Sequence, residues 1–277
     1  MTSAKTDKCT GKERPLEPNR LIEAIMNRKS IRKYKEECPS DEIITTIVRA
    51  GQQAPSTSQS YSVILTRDRK HHPFRAPLMF TICTDFHKME RIMAKRNWTP
   101  VTNDLSCLMS GIGDACYMAE NMVIAAEALG LGSCYLGDSP YIAKQLKKRM
   151  SLPDRVFPVV GLVVGYPDEE VPTRPRYPLD FVLFEETYPE LTDEQVERAM
   201  KTMDEGFMGQ DYYRRHGAII PLKVDREETY TFDTYGWTEH TSRKWGQRWP
   251  TSELILGHLF ECGFRIPDGS WEDKNSK

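Results

Sequence analysis

The sequence predicts a mixed α/β sheet with helices packed on it, and three observations carry that prediction. Segments with apolar residues at helical spacing alternate with short β-branched and aromatic runs. One run, "FPVVGLVVGYP", is almost continuously apolar, as an interior strand is. One long segment, "GIGDACYMAENMVIAAEALGLG", is apolar over a broad surface, as a helix buried against a sheet is.

The elements follow in order. In "RLIEAIMNR", Leu21, Ile22, Ile25 and Met26 fall on one face and predict a short amphipathic helix. "PSDEIITTIVRAGQQAP" predicts a second: Ser40 is its N-cap, Asp41 and Glu42 suit the positive end of the helix dipole, and Pro55 forbids continuation. "YSVILT" and "PLMFTICTD" each supply one strand, joined by the short charged "RDRKHHPFRA". The central buried helix is expected to open with Asp114 near its start and close at Gly130. "SCYLG" gives a strand and turn, "PYIAKQLKKRM" an exposed helix, and "FPVVGLVVGYP" the interior strand. The order α, α, β, β, α, β, α, β is what a sheet layered with helices produces.

Beyond about residue 187 the composition changes. "LTDEQVERAMKTMDEGF" carries a Thr192-to-Gln195 capping box and predicts a helix. The following "YYRRHGAIIPLKVDREETYTFDTYGWTEHTSRKWGQRW" is polar, aromatic and aperiodic. "PTSELILGHLFECGF" returns to helical spacing through Leu254, Ile255, Leu259 and Phe260, with Gly263 closing it.

Composition bounds the function. With 277 residues, 39% hydrophobic and 28% charged, and a net charge of −2, the chain can bury a real core and advertises neither a nucleic-acid nor a membrane partner. The first seventeen residues lack an apolar core and read as a flexible leader rather than a signal peptide. Seven scattered cysteines without a C-x-x-C pair read as reduced thiols, which points to the cytoplasm. His71 and His72 are adjacent with no ligand cluster around them, so no metal site is expected.

Chemistry concentrates in "NRKSIRKY". A run of charge at a helix exit ordinarily means a solvated face, but here a serine stands among arginines. The set Arg28, Lys29, Ser30 and Arg32 suits a phosphate and a nearby electron-rich group, because a guanidinium pairs with two oxygens while hydroxyls and amides fill others. Arg174 and Arg176, in "TRPRYP" after the interior strand, form a second such cluster; a solvated turn is its plain alternative. The loop "APSTSQS" offers Ser56, Thr57 and Ser58 as small donors, or is an ordinary polar turn. The glycines of "LGLGSCYLG" permit a backbone to approach a planar ring, although G-x-G-x-x-G is absent.

Taken in order and spacing, "NRKSIRKY", "AGQQAPSTSQSYSVI", "DACYMAENMVIAAEALGLGSCYLG", "LPDRVFPVVGLVVGYP" and "RPRYP" resemble the FMN-dependent nitroreductase family, most of all its longer, NADPH-preferring type. The resemblance covers residues 19 to 186 well and the last helix loosely. It implies an α+β fold, a mixed sheet sandwiched by helices, in an intertwined homodimer with FMN at the interface. Residues 18–187 would form the FMN-binding domain and 188–277 an excursion embracing the partner subunit. Arg28 and Ser30 would bind the FMN phosphate with Arg174 and Arg176, Lys29 would add a polar contact, and Arg32 would face the N1–C2=O edge as the catalytic residue. Ser56, Thr57 and Ser58 would line the ribityl chain or ring edge, and Tyr135, Leu136 and Gly137 the ring near N5. Hydride would pass from NAD(P)H through the flavin to a nitroaromatic, quinone or flavin acceptor in ping-pong turnover. The chain departs from the family in its short "RDRKHHPFRA" connection, where a helix is usual, and Arg214 and Arg215 stand offset from the arginines that read NADPH. Two rivals stay open from sequence: a flavin storage or delivery protein of the same fold, and a non-flavin module whose arginines bind carboxylates.

Overall fold

The computed structural model describes residues 17, 19–101, 103–223, 226–248 and 252–266. The predicted leader, apart from Glu17, lies outside the described residues. Asn19 opens α1 (Arg20–Asn27), its Oδ1 accepting from the N–H groups of Leu21 and Ile22 at 2.9 and 3.3 Å. Ser40 caps α2 (Asp41–Gln52) as predicted, accepting from Ile43 N–H at 3.3 Å. The strands are β1 (Tyr61–Thr66), β2 (Leu78–Asp85), β3 (Gly132–Leu136) and β4 (Val156–Gly165), in spatial order β1-β2-β4-β3. All three strand pairings are antiparallel. Among the described residues the parallel character of the sheet is confined to one bridge, Ser30 to Ser133.

Two elements differ from expectation. A helix α3 (His87–Lys95) occupies a stretch for which none was predicted. The central helix α4 runs Asp104–Ala128, starting well before Asp114, and is capped by Asn103, whose Oδ1 accepts from Ser106 N–H at 2.8 Å. Gly111 is interior to this helix. A Cβ there would stand 1.9 Å from Thr84 Oγ1 and 2.8 Å from Phe86 Cε2, so the residue's smallness serves close packing of α4 on the end of β2.

The core lies between α2, α4 and one sheet face, where Ile47, Phe80, Ile82, Met118, Met122 and Leu162 are almost wholly buried. The other face of the sheet is covered by Ile31, Tyr34 and Val171, which pack on Met79, Cys134 and Val163. α5 (Ala143–Met150) follows a short 3-10 turn, Ser139–Ile142. α9 (Ser252–Glu261) returns to this body, placing Leu259 and Phe264 against Leu108 and Phe157.

Beyond β4, α6 (Asp193–Gly209) carries the expected Thr192–Gln195 capping box. The stretch that reads as aperiodic contains α7 (Tyr212–His216), α8 (Trp237–Arg243) and a π-helical turn, Lys244–Arg248. These are too short to show a period, and tertiary contacts order them. The buried Arg243 guanidinium bonds Glu228 and Glu239 at 2.6 Å each and donates to the Ile220 carbonyl at 2.8 Å, while Met203, Phe207, Tyr213 and Tyr235 form a small core of their own.

Candidate functional site

Arg32 and Arg174, one from each arginine cluster, meet because of the way β4 ends. Its last residue, Gly165, pairs with Gly132 at the start of β3, and the chain beyond it runs back along residues 31–35. Ile31 N–H donates to Ser133 O, Lys35 N–H to Tyr166 O and Asp168 N–H to Lys33 O, each at 2.9 Å. The Glu169 carboxylate accepts from the backbone N–H groups of Arg32 and Lys33. Gly132 makes the approach possible: a Cβ there would lie 2.5 Å from Ile31 Cγ1. With Ile31 and Tyr34 turned into the core, Ser30 and Arg32 are left at the surface of the seam, where Arg174 also arrives.

Ser30, Arg32 and Arg174 form one wall of a cleft of about 380 Å³. Phe207, Tyr212, Tyr213, Trp237 and His240 of the excursion form the other. Arg174 donates to Gln210 Oε1 at 2.7 Å and stacks its guanidinium 4.1 Å above the Tyr212 ring. Burial pushes its pKa below the ordinary arginine value, and the neighbouring Arg32 and Arg215 cations push the same way. Among the described residues, no carboxylate ion-pairs with the side chain of Arg28, Arg32, Arg174 or Arg176. The cleft therefore gathers guanidinium groups that have no direct carboxylate ion pair, with Glu169 close by on the Arg32 backbone, beside a stacked aromatic wall, a setting suited to an anion attached to a planar ring.

The other predicted residues divide. Arg28 leaves the end of α1 and, with Lys29, faces Glu127 near the end of α4; burial raises the Glu127 carboxyl to about 7 while those two cations oppose the rise. Tyr135, next to the last residue of β3, donates its hydroxyl to Glu120 Oε2 at 3.1 Å. Gly137 faces open space, with nothing within 4 Å of where a Cβ would be. Arg176 is turned aside, donating to the carbonyls of Arg174 and Pro175 at 3.2 and 3.0 Å, and is not on the cleft wall.

Ser56, Thr57 and Ser58 are exposed and do not line the arginine cleft of their own chain. Their loop is fixed by Asp114, a residue the sequence reading placed in a helix without a task. Its buried carboxylate accepts from Thr57, Ser58 and Ser60 N–H at 2.7, 3.2 and 3.0 Å. Glu127, beside Arg28, is roughly 20 Å further along the same helix at 1.5 Å rise per residue. A carboxylate among the apolar residues on the buried face of the helix, with Ala115, Met118 and Ala119, was the available signal.

The adjacent histidines have separate structural partners: His72 between Thr66 Oγ1 and Ala76 O at 2.9 and 2.8 Å, and His71 against Asp68 at 2.7 Å. No group of three metal-ligating side chains exists among the described residues. Arg214 is paired with Asp211 and Asp233. No helix among the described residues is long and apolar enough to cross a membrane.

Residues 20–202 match the family described as "Putative TM nitroreductase". The chain is 30% identical over 229 residues to the FMN reductase (NADPH) of Bacillus subtilis, covering 77% of this chain and 89% of that one. The solved structure of NfrA2 from B. megaterium superposes with a TM-score of 0.77 at 26% identity, over 90% of this chain and 100% of that one. The NADPH:FMN oxidoreductase of Vibrio harveyi, solved as a complex with NAD+, gives a TM-score of 0.71 at 25% identity over 89% and 99%.

Proposed function

From the premise that this chain belongs to the nitroreductase family, we propose that it passes hydride from NAD(P)H through FMN to a small electron-poor acceptor, in ping-pong turnover. The chain is an NAD(P)H-dependent flavin oxidoreductase, with FMN as cofactor and NAD(P)H as co-substrate. The observation that carries the finer reading is the convergence of Arg32 and Arg174, distant in sequence, on one cleft without carboxylate partners.

FMN fits the residues present. Arg174, Ser30 and Arg28 would hold the phosphate, with Lys29 adding charge; Arg176 would have to release its carbonyl bonds to join them. Arg32 would face the N1–C2=O edge, where its fixed cation stabilises the negative charge that reduction brings without having to reorganise. Tyr135, Leu136 and the open side of Gly137 would border the ring. When bound, FMN supplies a two-electron carrier that accepts hydride at N5 and gives it up to an oxidant. Nicotinamide and acceptor would use the same opening in turn, and the chain's part is to bind, orient and exclude water.

Ser56, Thr57 and Ser58 join this reading through a homodimer. Two copies with their α4 helices packed antiparallel would bring the loop of one beside the arginines of the other. Surface chemistry supports this pairing: α1 buries no residue and leaves Leu21, Ile22, Ile25 and Met26 exposed, and α4 exposes Leu105, Met109, Ile112 and Tyr117. Residues 18–187 would then be the flavin-binding body and 188–277 the excursion that reaches toward the partner. A cytoplasmic location agrees with the six described cysteines, none of which is in a disulfide.

The test begins with the visible spectrum of the purified protein and its bleaching by NADH or NADPH under anaerobic conditions. Arg32→Ala should keep part of its FMN while flavin reduction in stopped flow slows about 100-fold, the usual cost of deleting one preorganised charge donor. An unchanged rate removes Arg32 from the mechanism.

A further inference from the structure

The short connection between β1 and β2, two 3-10 turns at Arg69–His71 and Pro73–Arg75, presents one aromatic ring. Phe74 and Arg75 both adopt left-handed backbone, with φ of 59° and 49°, a conformation that bulky side chains take up only where the surroundings impose it. The surroundings do so from both sides. Before them, the buried His72 ring is fixed between Thr66 and the Ala76 carbonyl. Around them, the Arg69 guanidinium donates to the carbonyls of Arg75, Glu36 and Lys35 at 3.0, 2.7 and 3.3 Å, tying the turn to the segment just beyond Arg32. After them, Ala76 and Pro77 are buried, and Pro77 packs where a side chain at Gly165 would stand.

None of this buries Phe74, which remains 42% exposed. The strained turn is therefore not a device for adding to the core. Its one described ring contact is with Arg32, whose guanidinium carbon lies 5.9 Å from the ring centroid. We propose that Phe74 is a positioning residue for Arg32: its ring face holds the guanidinium at the mouth of the cleft and shields one side of it from water, so that the cation is directed at the flavin edge instead of ranging over the surface.

The inference rests on the reading that Arg32 meets FMN. A polar side chain in this position would compete for the guanidinium or contact the flavin directly; a phenyl ring does neither, and offers only its electron-rich face. The consequence is that flavin affinity and flavin potential in this chain depend on Phe74 only through Arg32.

The experiment is a double-mutant cycle on the apoprotein and the holoenzyme, reading the FMN dissociation constant by fluorescence titration and the flavin midpoint potential by dye equilibration. Phe74→Leu keeps an apolar side chain and removes the ring face; Phe74→Trp keeps the face. Since Phe74 is outside the core, all variants should retain the wild-type melting temperature. Phe74→Leu should weaken FMN about two- to fivefold, the range of a partly exposed cation–π contact, and make the potential more negative, while Phe74→Trp stays near wild type. In an Arg32→Ala background Phe74→Leu should have no further effect. If Arg32→Ala weakens FMN and Phe74→Leu does not, the proposal falls and the reading of Arg32 stands. Losses that multiply in the double variant also overturn it. If Arg32→Ala itself leaves both affinity and potential unchanged, the assignment of Arg32 to the flavin fails and takes this inference with it.

Discussion

At the scale of single residues, the site is a balance between arginines that lack carboxylate ion pairs and one carboxyl that is poorly solvated. Glu127 Oε1 is buried without a hydrogen-bond partner, and the same burial raises the carboxyl from 4.5 to about 7 despite Arg28 and Lys29 nearby. In the unfolded chain this group ionises near 4.5, so between 4.5 and 7 the folded state binds more protons than the unfolded state. Its stabilising contribution is complete below 4.5 and is lost as pH rises through about 7. Glu127→Gln should leave the melting temperature at pH 5 little changed and raise it by about 2–4 °C at pH 8, the shift that roughly 1 kcal/mol produces in a chain this size. Thermal melts at the two pH values check this; an equal change at both would assign the effect to packing instead of ionisation.

At the scale of elements, the decisive contact is the seam between residues 30–35 and the adjoining ends of β3 and β4. It depends on a glycine whose purpose is visible only from the other side. A methyl at Gly132 would stand 2.5 Å from Ile31 Cγ1 and 2.9 Å from its Cβ, and Ile31 is 3% exposed with no free space to retreat into. Gly132→Ala should destabilise the chain by about 1–3 kcal/mol, as overpacked cores do, and weaken FMN by displacing Ser30 and Arg32 from Arg174. Denaturant unfolding and flavin titration test the two halves separately. Stability lost with affinity retained would show that the seam is structural and does not set the site. Asp114 plays the corresponding part for the loop at 56–60: one carboxylate satisfies three backbone donors and holds a segment of hydroxyl side chains facing outward.

At the scale of the whole molecule, α1 is the anomaly that an isolated subunit does not explain. It is strongly amphipathic and capped, yet Met26 is 73% exposed, and on α4 Met109 is 69% exposed. Such faces are normally covered. On the proposed homodimer, the double substitution Ile25→Asp with Met109→Asp should give monomers in sedimentation velocity and release FMN, because that proposal has the loop at 56–58 reach the other subunit's arginines. Neither residue is buried in the single chain, so each subunit should stay folded by circular dichroism. A dimer that persists would move the interface elsewhere.

Periodicity and capping chemistry are local, and they were legible in order. Ser40, the Thr192–Gln195 box, β1 and β4 stand where the pattern of residues puts them, because a cap or an apolar alternation is satisfied within a few neighbours. The adjacency of Ser30 to Arg28 and Arg32 was legible too, although only Ser30 and Arg32 of the three line the cleft. The start of α4 was not: the helix was expected to open near Asp114 and begins at Asp104, with Gly111 inside it packed on Thr84 and Phe86. Nor were α7 and α8, which owe their order to the buried Arg243 and its two carboxylates rather than to any period of their own. The sequence by itself determined the order of the four strands and of the helices with a clear period or cap, and where the cationic residues stand along the chain. Only the tertiary structure decided that Arg174 faces the cleft while Arg176 turns away, that Phe74 meets Arg32, and that Ser56, Thr57 and Ser58 do not line the arginine cleft of their own chain. Those are relations between groups far apart along the backbone, fixed by strand register and close packing, and a linear pattern carries no distance between them.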